Sequence, residues 1–306
     1  AIDSTGGSLN RFFKIAPKEK TRKKEMGHIF DARKVKVNNF RFRLVNLKRS
    51  HQNKEYGINW ADMDVTVGYL KAKDLSLSNG YMRGEVEELE ATEKSGYHIA
   101  SISGKTTVGG GKTLIEDLRL RDDWSEIKMD EFAMSYEDIG SFSDFIDKVR
   151  ITGDIRSSKL DFKSLSYFAS ALKDMSVKLD IQKADVDGPV RDLRIDRIDF
   201  SESMSGVKGY SEGRLTGLPD INSTVFDFRI HDLSFTSEGL GSFINGFAPS
   251  ARLALGKYAP GDKLDFEGTV KGTLNDLRVK GKAGSASNGE LTTDLRLHDL
   301  IKPRGV

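Results

Sequence analysis

From Val35 onward, apolar and polar residues alternate again and again, and several of these runs carry one skipped beat. A period of two is the signature of a strand with one dry and one wet face, and a chain that repeats it so often has little freedom to be anything but a sheet. "VKVNNFRFRL" places Val35 and Val37, then Phe40, Phe42 and Leu44, on one side; "INWADMDVTV" does the same with Ile58 and Trp60, then Met63, Val65 and Val67. The skips at Asn38-Asn39 and Ala61-Asp62 predict β-bulges, in which one extra residue kinks the strand. "WSEIKMDEFAM" has the same skip, with Ile127 and Met129 followed by Phe132 and Met134.

Later runs keep the rhythm: Ile151 then Ile155, Leu160 with Phe162, Leu179 with Ile181, Leu193 and Ile195 then Ile198 and Phe200, Phe226 through Phe228 to Ile230, and Leu264 with Phe266. Two stretches switch to helical spacing. Leu165, Phe168, Ala169 and Leu172 fall at i, i+3, i+4 and i+7, as do Leu240, Phe243, Ile244 and Phe247. The expectation is an all-β protein: an elongated or curled antiparallel sheet of about a dozen strands, with two short amphipathic helices. So little helix cannot cover so much sheet, which leaves a sheet folded on itself as a sandwich or curled into a hydrophobic groove. Residues 1–30 are expected to be a poorly ordered linker, and 31–306 a repetitive β-groove region with a division near 145–175.

Charge and composition remove several function classes. Lys and Arg number 48 against 46 Asp and Glu, with the signs interspersed, which argues against a nucleic-acid partner. The chain has no cysteine, so disulfides and thiolate metal sites are out of reach. The basic run Lys18 to Lys24 could meet anionic head groups, but without an amphipathic helical pattern it reads as a solvated linker. No apolar run approaches the ~18 residues of a membrane helix. The start, "AIDSTGGSLN", lacks an initiating Met and a signal-peptide pattern, as expected for a soluble piece of something longer.

"SISGKTTVGGGKT" (101–113) invites a phosphate-loop reading and fails it. GxxxxGK[ST] needs a glycine five residues before the Gly of GKT, where this chain has Thr106 before Gly111 and Ile99 before Gly104. Gly109 to Gly111 instead predict a hairpin turn needing positive φ. "GPVRDLRI" (188–195) and "GTLNDLRV" (272–279) form a loose internal repeat, and "GKTLIEDLRL" (111–120) shares its ending with two more residues in the loop.

Candidate chemistry is sparse. His28, His51, His98, His231 and His298 stand singly; His231 and His298 each precede Asp-Leu at a strand end, but no third ligand or nucleophile accompanies them. There is no GxSxG elbow. Asp180, Asp185 and Asp187 before Gly188 resemble the start of a calcium loop, but the frame with Gly188 at position six begins with Lys183 and puts Arg194 at position twelve, so an acidic turn is the better reading. Asp122-Asp123 and Glu85, Glu87, Glu88 and Glu90 read as solvated turn and strand-face residues. No catalytic residue, cofactor or metal is expected, and an enzyme is the least favoured class.

The order of these elements, "FDARKVKVNNFRFRL", "INWADMDVTVGYLKAKDLSL", "LIEDLRLRDDWSEIKMDEFAMSY", "VRITGDIRSSKLDFKSLSYFASAL" and "KLDFEGTVKGTLNDLRVKGKAG", resembles the repeat region of the TamB-like translocation and assembly proteins, relatives of the AsmA group in Gram-negative envelopes. The resemblance spans nearly all of the chain after Phe30; the longer members also carry an amino-terminal membrane anchor and a carboxy-terminal domain, which on this resemblance would lie outside the present segment. It implies an internal segment of an elongated, curled sheet whose inner face is a hydrophobic groove spanning the periplasm. In that family the groove is thought to shield phospholipid acyl chains, and the family has been linked to outer-membrane protein assembly. Such a segment would have acyl chains as its partner. An outer-membrane barrel protein would be a partner only through the absent parts, with anchoring to the inner membrane.

By the alternation, the groove lining comprises Val35, Val37, Phe40, Phe42, Ile58, Trp60, Val65, Val67, Leu118, Leu120, Ile127, Met129, Ile151, Leu179, Ile181, Leu193, Ile195, Phe226, Phe228, Ile230, Phe266 and Leu277. The rivals are a scaffold for outer-membrane protein assembly or secretion, whose sheet edges pair with client strands, and a closed β-sandwich or solenoid binding module.

Overall fold

The computed structural model describes residues 2–3, 6–7, 27–45, 55–249, 262–285, 289–298 and 300. Fourteen strands form one curled, unclosed antiparallel sheet in strict sequence order. They are β1 (Phe30–Val45), β2 (Asp62–Ser78), β3 (Tyr81–Glu93), β4 (His98–Gly109), β5 (Lys112–Asp122), β6 (Glu126–Ser135) and β7 (Arg150–Asp161). The second half comprises β8 (Lys178–Pro189), β9 (Asp192–Glu202), β10 (Lys208–Thr216), β11 (Val225–Thr236), β12 (Lys263–Thr273), β13 (Asp276–Ser285) and β14 (Gly289–His298). A separate two-residue ladder pairs Ile2–Asp3 with Gly6–Gly7. The linker expected over 1–30 lies largely outside the described residues. Strand pairing runs on from β6 through β7 to β8, across 145–175.

The skipped beat at Asn38-Asn39 is a bulge, and further bulges recur along much of the sheet at differing heights. Asn39, Asp117 and Ser157 have φ of 55°, 53° and 39° in mid-strand on β1, β5 and β7. The register shifts between Ile181 and Lys183 on β8, between Ile195 and Ile198 on β9, and between Ile230 and Leu233 on β11. Each bulge shifts the phase of its own strand by one residue, so the apolar residues on either side of it stay on one face, and it adds twist and bend. The skip at Ala61-Asp62 is different. Asn59 accepts the N–H groups of Ala61 and Asp62, closing a turn that ends where β2 begins, so Ile58 and Trp60 belong to the preceding connection rather than to the strand.

Odd-numbered strands run towards one end of the sheet, here called the upper end, and five of them finish on a capping side chain. Glu93 accepts from the Ser95 N–H (2.7 Å), Asp122 from Trp124 and Ser125 (2.8 and 2.6 Å), Asp161 from Lys163 (2.8 Å), Glu202 from Met204 and Ser205 (3.1 and 2.7 Å), and Thr236 from Gly239 (3.0 Å). Each closes β3, β5, β7, β9 or β11 by satisfying N–H groups the ladder cannot reach.

At the lower end, Gly110 and Gly111 (φ 61° and 76°) form the two-residue turn between β4 and β5 that the triple glycine predicts. The repeat is structural at two of its three copies. Gly188 and Gly272 (φ 132° and 120°) precede the β8–β9 and β12–β13 turns, and a Cβ there would meet the carbonyl oxygen of Asp192 or Asp276 at 2.3 or 2.1 Å. The third Asp-Leu-Arg, at 117–119, sits in mid-strand at the β5 bulge instead.

Helices are few. The predicted helix over 240–247 is present as α3 (Ser237–Phe247). The one over 165–172 is split into α2 (Phe162–Ser166) and a 3-10 turn at Ser170–Leu172, because Ala169 leaves helical geometry at φ −133°. A further piece, a 3-10 turn at Ile139–Asp144 running into α1 (Phe145–Lys148), was not foreseen.

Candidate functional site: the apolar face

Register shows how the alternating residues assemble into rows. Successive partners Val37, Leu70, Leu89, Ile102, Leu120 and Ile127 cross β1 to β6 without a polar interruption. Across the second half, Ile181, Phe200, Gly209, Leu233, Phe266, Ala283 and Leu291 form one row, and Ile195, Gly213, Phe228, Val270, Val279 and Leu295 another. Leu193, Leu215, Phe226, Gly272 and Leu277 form a third near the lower end. Pairs expected separately come together: Phe40 lies opposite Val67, Phe42 opposite Val65, Leu118 opposite Met129 and Leu120 opposite Ile127.

The covering of these rows differs between the halves. Over β8 to β12 the chain supplies its own roof. α3 sets Phe243 on Phe200 (ring centroids 6.0 Å apart) and Phe247 edge-on to Phe162 (5.3 Å), above a cluster of Val177, Leu179, Ile181 and Ala184. Leu240 and Phe243 also pack against Val207, Phe235 and Phe266. Leu179, Ile181 and Phe266 are therefore closed core beneath α3 rather than open wall. Leu172 and Met175, from an upper-end connection, meet Ile221 and Leu274 of lower-end loops, with Phe226 packed against them. That contact carries the 162–177 connection across the face.

Elsewhere the rows are more open. Val35, Val37, Phe42, Val65, Val67, Leu120, Ile127, Met129, Ile151, Leu193, Ile195, Phe228 and Ile230 are half-buried, and Phe40 on the edge strand is 51% exposed. Leu118 and Leu277 are buried within the sheet surface. Ile58 and Trp60 do not line a strand. Ile58 is buried and donates its N–H to the Tyr167 carbonyl (2.7 Å), while Trp60 stacks on Phe145 at 5.5 Å and meets Phe168 at 6.0 Å. Because Trp60 comes from an upper connection and Phe145 from a lower one, their stacking is a second bridge across the face. Leu70, Leu89 and Ile102 complete the first row but escape the alternation. β3 is too acidic and too interrupted by bulges for the pattern to show, and register alone reveals them.

The other face is charged and self-neutralising. Cross-strand pairs include Lys71 with Glu87 (2.9 Å), Lys105 with Asp117 (3.2 Å), Lys271 with Asp227 (2.8 Å), Arg278 with Asp294 (2.8 Å) and Arg296 with Asp276 (2.7 Å). The Arg278 guanidinium holds the Asp294 carboxyl down at about 2, chiefly by hydrogen bonding. Hydrogen bonds from Arg214 and Arg296 likewise lower Asp192 and Asp276. Asp185 and Asp187 are not a turn: they lie on β8, facing Arg156 and the Arg150 and Arg194 pair. A depression of about 330 Å³ on β3 to β5 is lined by Glu85, Glu87, Lys105, Asp117 and Arg119, away from the apolar rows.

Of the histidines, His98 sits 2.7 Å from Asp123, whose hydrogen bond raises its pKa. His231 stacks on Tyr210 near Glu212, and His298 lies beside Asp276. Among the described residues, no three His, Asp or Glu side chains gather as a metal site requires. His51 lies outside the described residues, as does the basic run at 18–24. Asp122, expected in a solvated turn, is buried and accepts hydrogen bonds from the Tyr97 and Ser164 hydroxyls, both at 2.9 Å, besides its two N–H groups. Compared with family models, curated proteins and solved structures, the chain matches none.

Proposed function

We propose that this chain is a section of a lipid conduit, in which the apolar face shields phospholipid acyl chains during outer-membrane biogenesis. The observation that carries the reading is the set of uninterrupted apolar rows on one face of an unclosed sheet, half-buried over β1 to β6 and around Ile195 and Phe228. Chemistry supports hydrocarbon as the occupant. The rows offer methyl, methylene and aromatic surface and no fixed polar group, as a sequence-tolerant lipid tail requires. The charged groups lie on the opposite face, where they neutralise one another. Removing an acyl chain from water is favourable by ~0.8 kcal/mol per CH₂, so about 16 carbons amount to roughly 12 kcal/mol. The periplasmic setting rests on the family resemblance alone.

The test is mass spectrometry of lipid extracted from the purified chain, with and without single Asp substitutions. Phe228→Asp and Ile195→Asp are expected to abolish phospholipid pickup while circular dichroism stays β-rich, because both side chains are half-buried and belong to none of the fully packed clusters. Normal lipid loading in folded variants would refute the reading. Global unfolding of both would mean these rows are closed core.

A further inference from the structure

Most arginines of the polar face are committed to a carboxylate, as Arg214 is to Asp192, Arg278 to Asp294 and Arg296 to Asp276. Two on β5 are not. Arg119 and Arg121 are exposed and stand two residues apart on that face, and among the described residues neither has a carboxylate within ion-pair distance. The acids around them are taken by other cations: Asp117 by Lys105 (3.2 Å), Glu85 by Lys73 (3.0 Å), Glu87 by Lys71 (2.9 Å), Glu126 by Lys128 (2.8 Å) and Asp123 by His98 (2.7 Å). The one acid left over is Glu88, exposed on β3.

Register adds two hydroxyls to the pair. On β4, Ser103 is the cross-strand partner of Arg119 and Ser101 that of Arg121, so the four side chains share one face of two adjacent strands. The surface also dips there. The depression of about 330 Å³ over β3 to β5 adjoins another of about 340 Å³ that takes in Ser101, Arg121, Glu88 and Glu126, and the two share Glu87, Ser103 and Arg119. Gly104, which has no side chain, lines the first, and β4 and β5 change register beside it.

We propose that Arg119 and Arg121, with the hydroxyls of Ser101 and Ser103, bind a phosphoryl group. Residues i and i+2 of a strand lie about 7 Å apart, a gap that two arginine side chains close easily on one anion. The planar guanidinium fork matches the oxygens of a phosphate, and the serines supply neutral donors to the oxygens the forks leave over. A phosphate dianion engages both guanidiniums at once, whereas a single carboxylate satisfies one. Glu88 opposes any anion, so occupancy depends on reaching both arginines together. The site lies on the face opposite the apolar rows and does not depend on what those rows carry.

The test is a titration of the 306-residue chain, carrying isotope-labelled arginine, with inorganic phosphate at low ionic strength, following the arginine Nε–H signals by NMR. Arg119 and Arg121 are expected to shift together and saturably with one shared Kd, while the ion-paired arginines stay still. Arg119→Gln is expected to weaken the response of Arg121 about tenfold, Arg121→Gln that of Arg119 equally, and Glu88→Gln to tighten both several-fold. All three side chains are exposed, so circular dichroism and melting temperature are expected to match wild type. Small unsaturated shifts spread over every arginine would mean an adventitious ion only and overturn the proposal, as would an Arg121 response indifferent to Arg119→Gln. A glutamate-rich peptide that binds the pair more tightly than phosphate would overturn it too, by making this a carboxylate site. Vesicles then separate the two sources of the group. Flotation of wild type, but not of the double Gln variant, with phosphatidylcholine vesicles containing phosphatidic acid assigns a lipid head group; saturable phosphate binding without flotation assigns a soluble phosphate ester.

Discussion

At the scale of single residues, the most consequential side chains are the acids at strand ends. Asp122 is buried, yet four donors converge on it: two backbone N–H groups and the hydroxyls of Tyr97 and Ser164. Burial, with the adjacent Asp122 carboxylate, pushes the Tyr97 phenol well above its ordinary range, so it remains a donor at any pH the fold experiences. Tyr97→Phe removes one charge-assisted bond without opening a cavity, at an expected cost of about 1.5–3 kcal/mol. Asp122→Ala strands several buried donors at once and is expected to cost more than Tyr97→Phe. Urea unfolding of the two variants checks both. An unchanged midpoint for Tyr97→Phe would mean the bond adds nothing to stability. None of this was legible in the sequence, since an acid that caps a buried turn is spelled like one that faces water. Only the recurrence at Glu93, Asp122, Asp161, Glu202 and Thr236 hints at it, and the uneven spacing hides it.

At the scale of elements, what could be read followed from what is local. Alternation marks strands because the pleat puts every second side chain on one face, and the skip at Asn39 marks a bulge for the same reason. The glycines of the β4–β5 turn were readable because two residues there need positive φ. α3 was readable because one of its faces meets the sheet. α1 was not, since its four residues are held by tertiary stacking of Phe145 on Trp60 and by Phe142 against Tyr136. For the same reason, alternation marked Leu179, Ile181 and Phe266 as facing inwards but could not say that α3 covers them. The roof yields a prediction. Phe243 touches two clusters, so Phe243→Ala is expected to destabilise by about 2–4 kcal/mol, from lost burial and the cavity left above Phe200. Thermal melts would measure this, and a loss below about 1 kcal/mol would show that α3 rests on the sheet without anchoring it.

At the scale of the whole molecule, each strand bonds only to its sequence neighbours, so the curl depends on the clusters on one face and the ion pairs on the other. An exposed pair contributes only about 0–1 kcal/mol, but here the pairs recur from β1 to β14 and their carboxylates shift together. Hydrogen bonds from Lys94, Arg41, Lys71, Lys128, Arg214, Arg296 and Arg278 lower Asp62, Asp64, Glu87, Glu126, Asp192, Asp276 and Asp294 respectively. A carboxylate lowered in the folded state contributes stability above its unfolded value, near 4, and loses it as pH falls through the folded value, which for Asp294 is about 2. Asp154 runs the other way: burial raises it, so its contribution is present below the unfolded value and lost as pH rises through the folded one. Seven groups against one fix the sign. Melting temperature is expected to rise slightly from pH 7 to 5, because Asp123 raises His98 and its contribution is present below the unfolded value and lost as pH rises, and to fall steeply between about pH 4 and 2, with high salt flattening the fall by screening the pairs. A melting temperature that held constant down to pH 2 would mean the charged face keeps the chain soluble but takes no part in holding the sheet's shape.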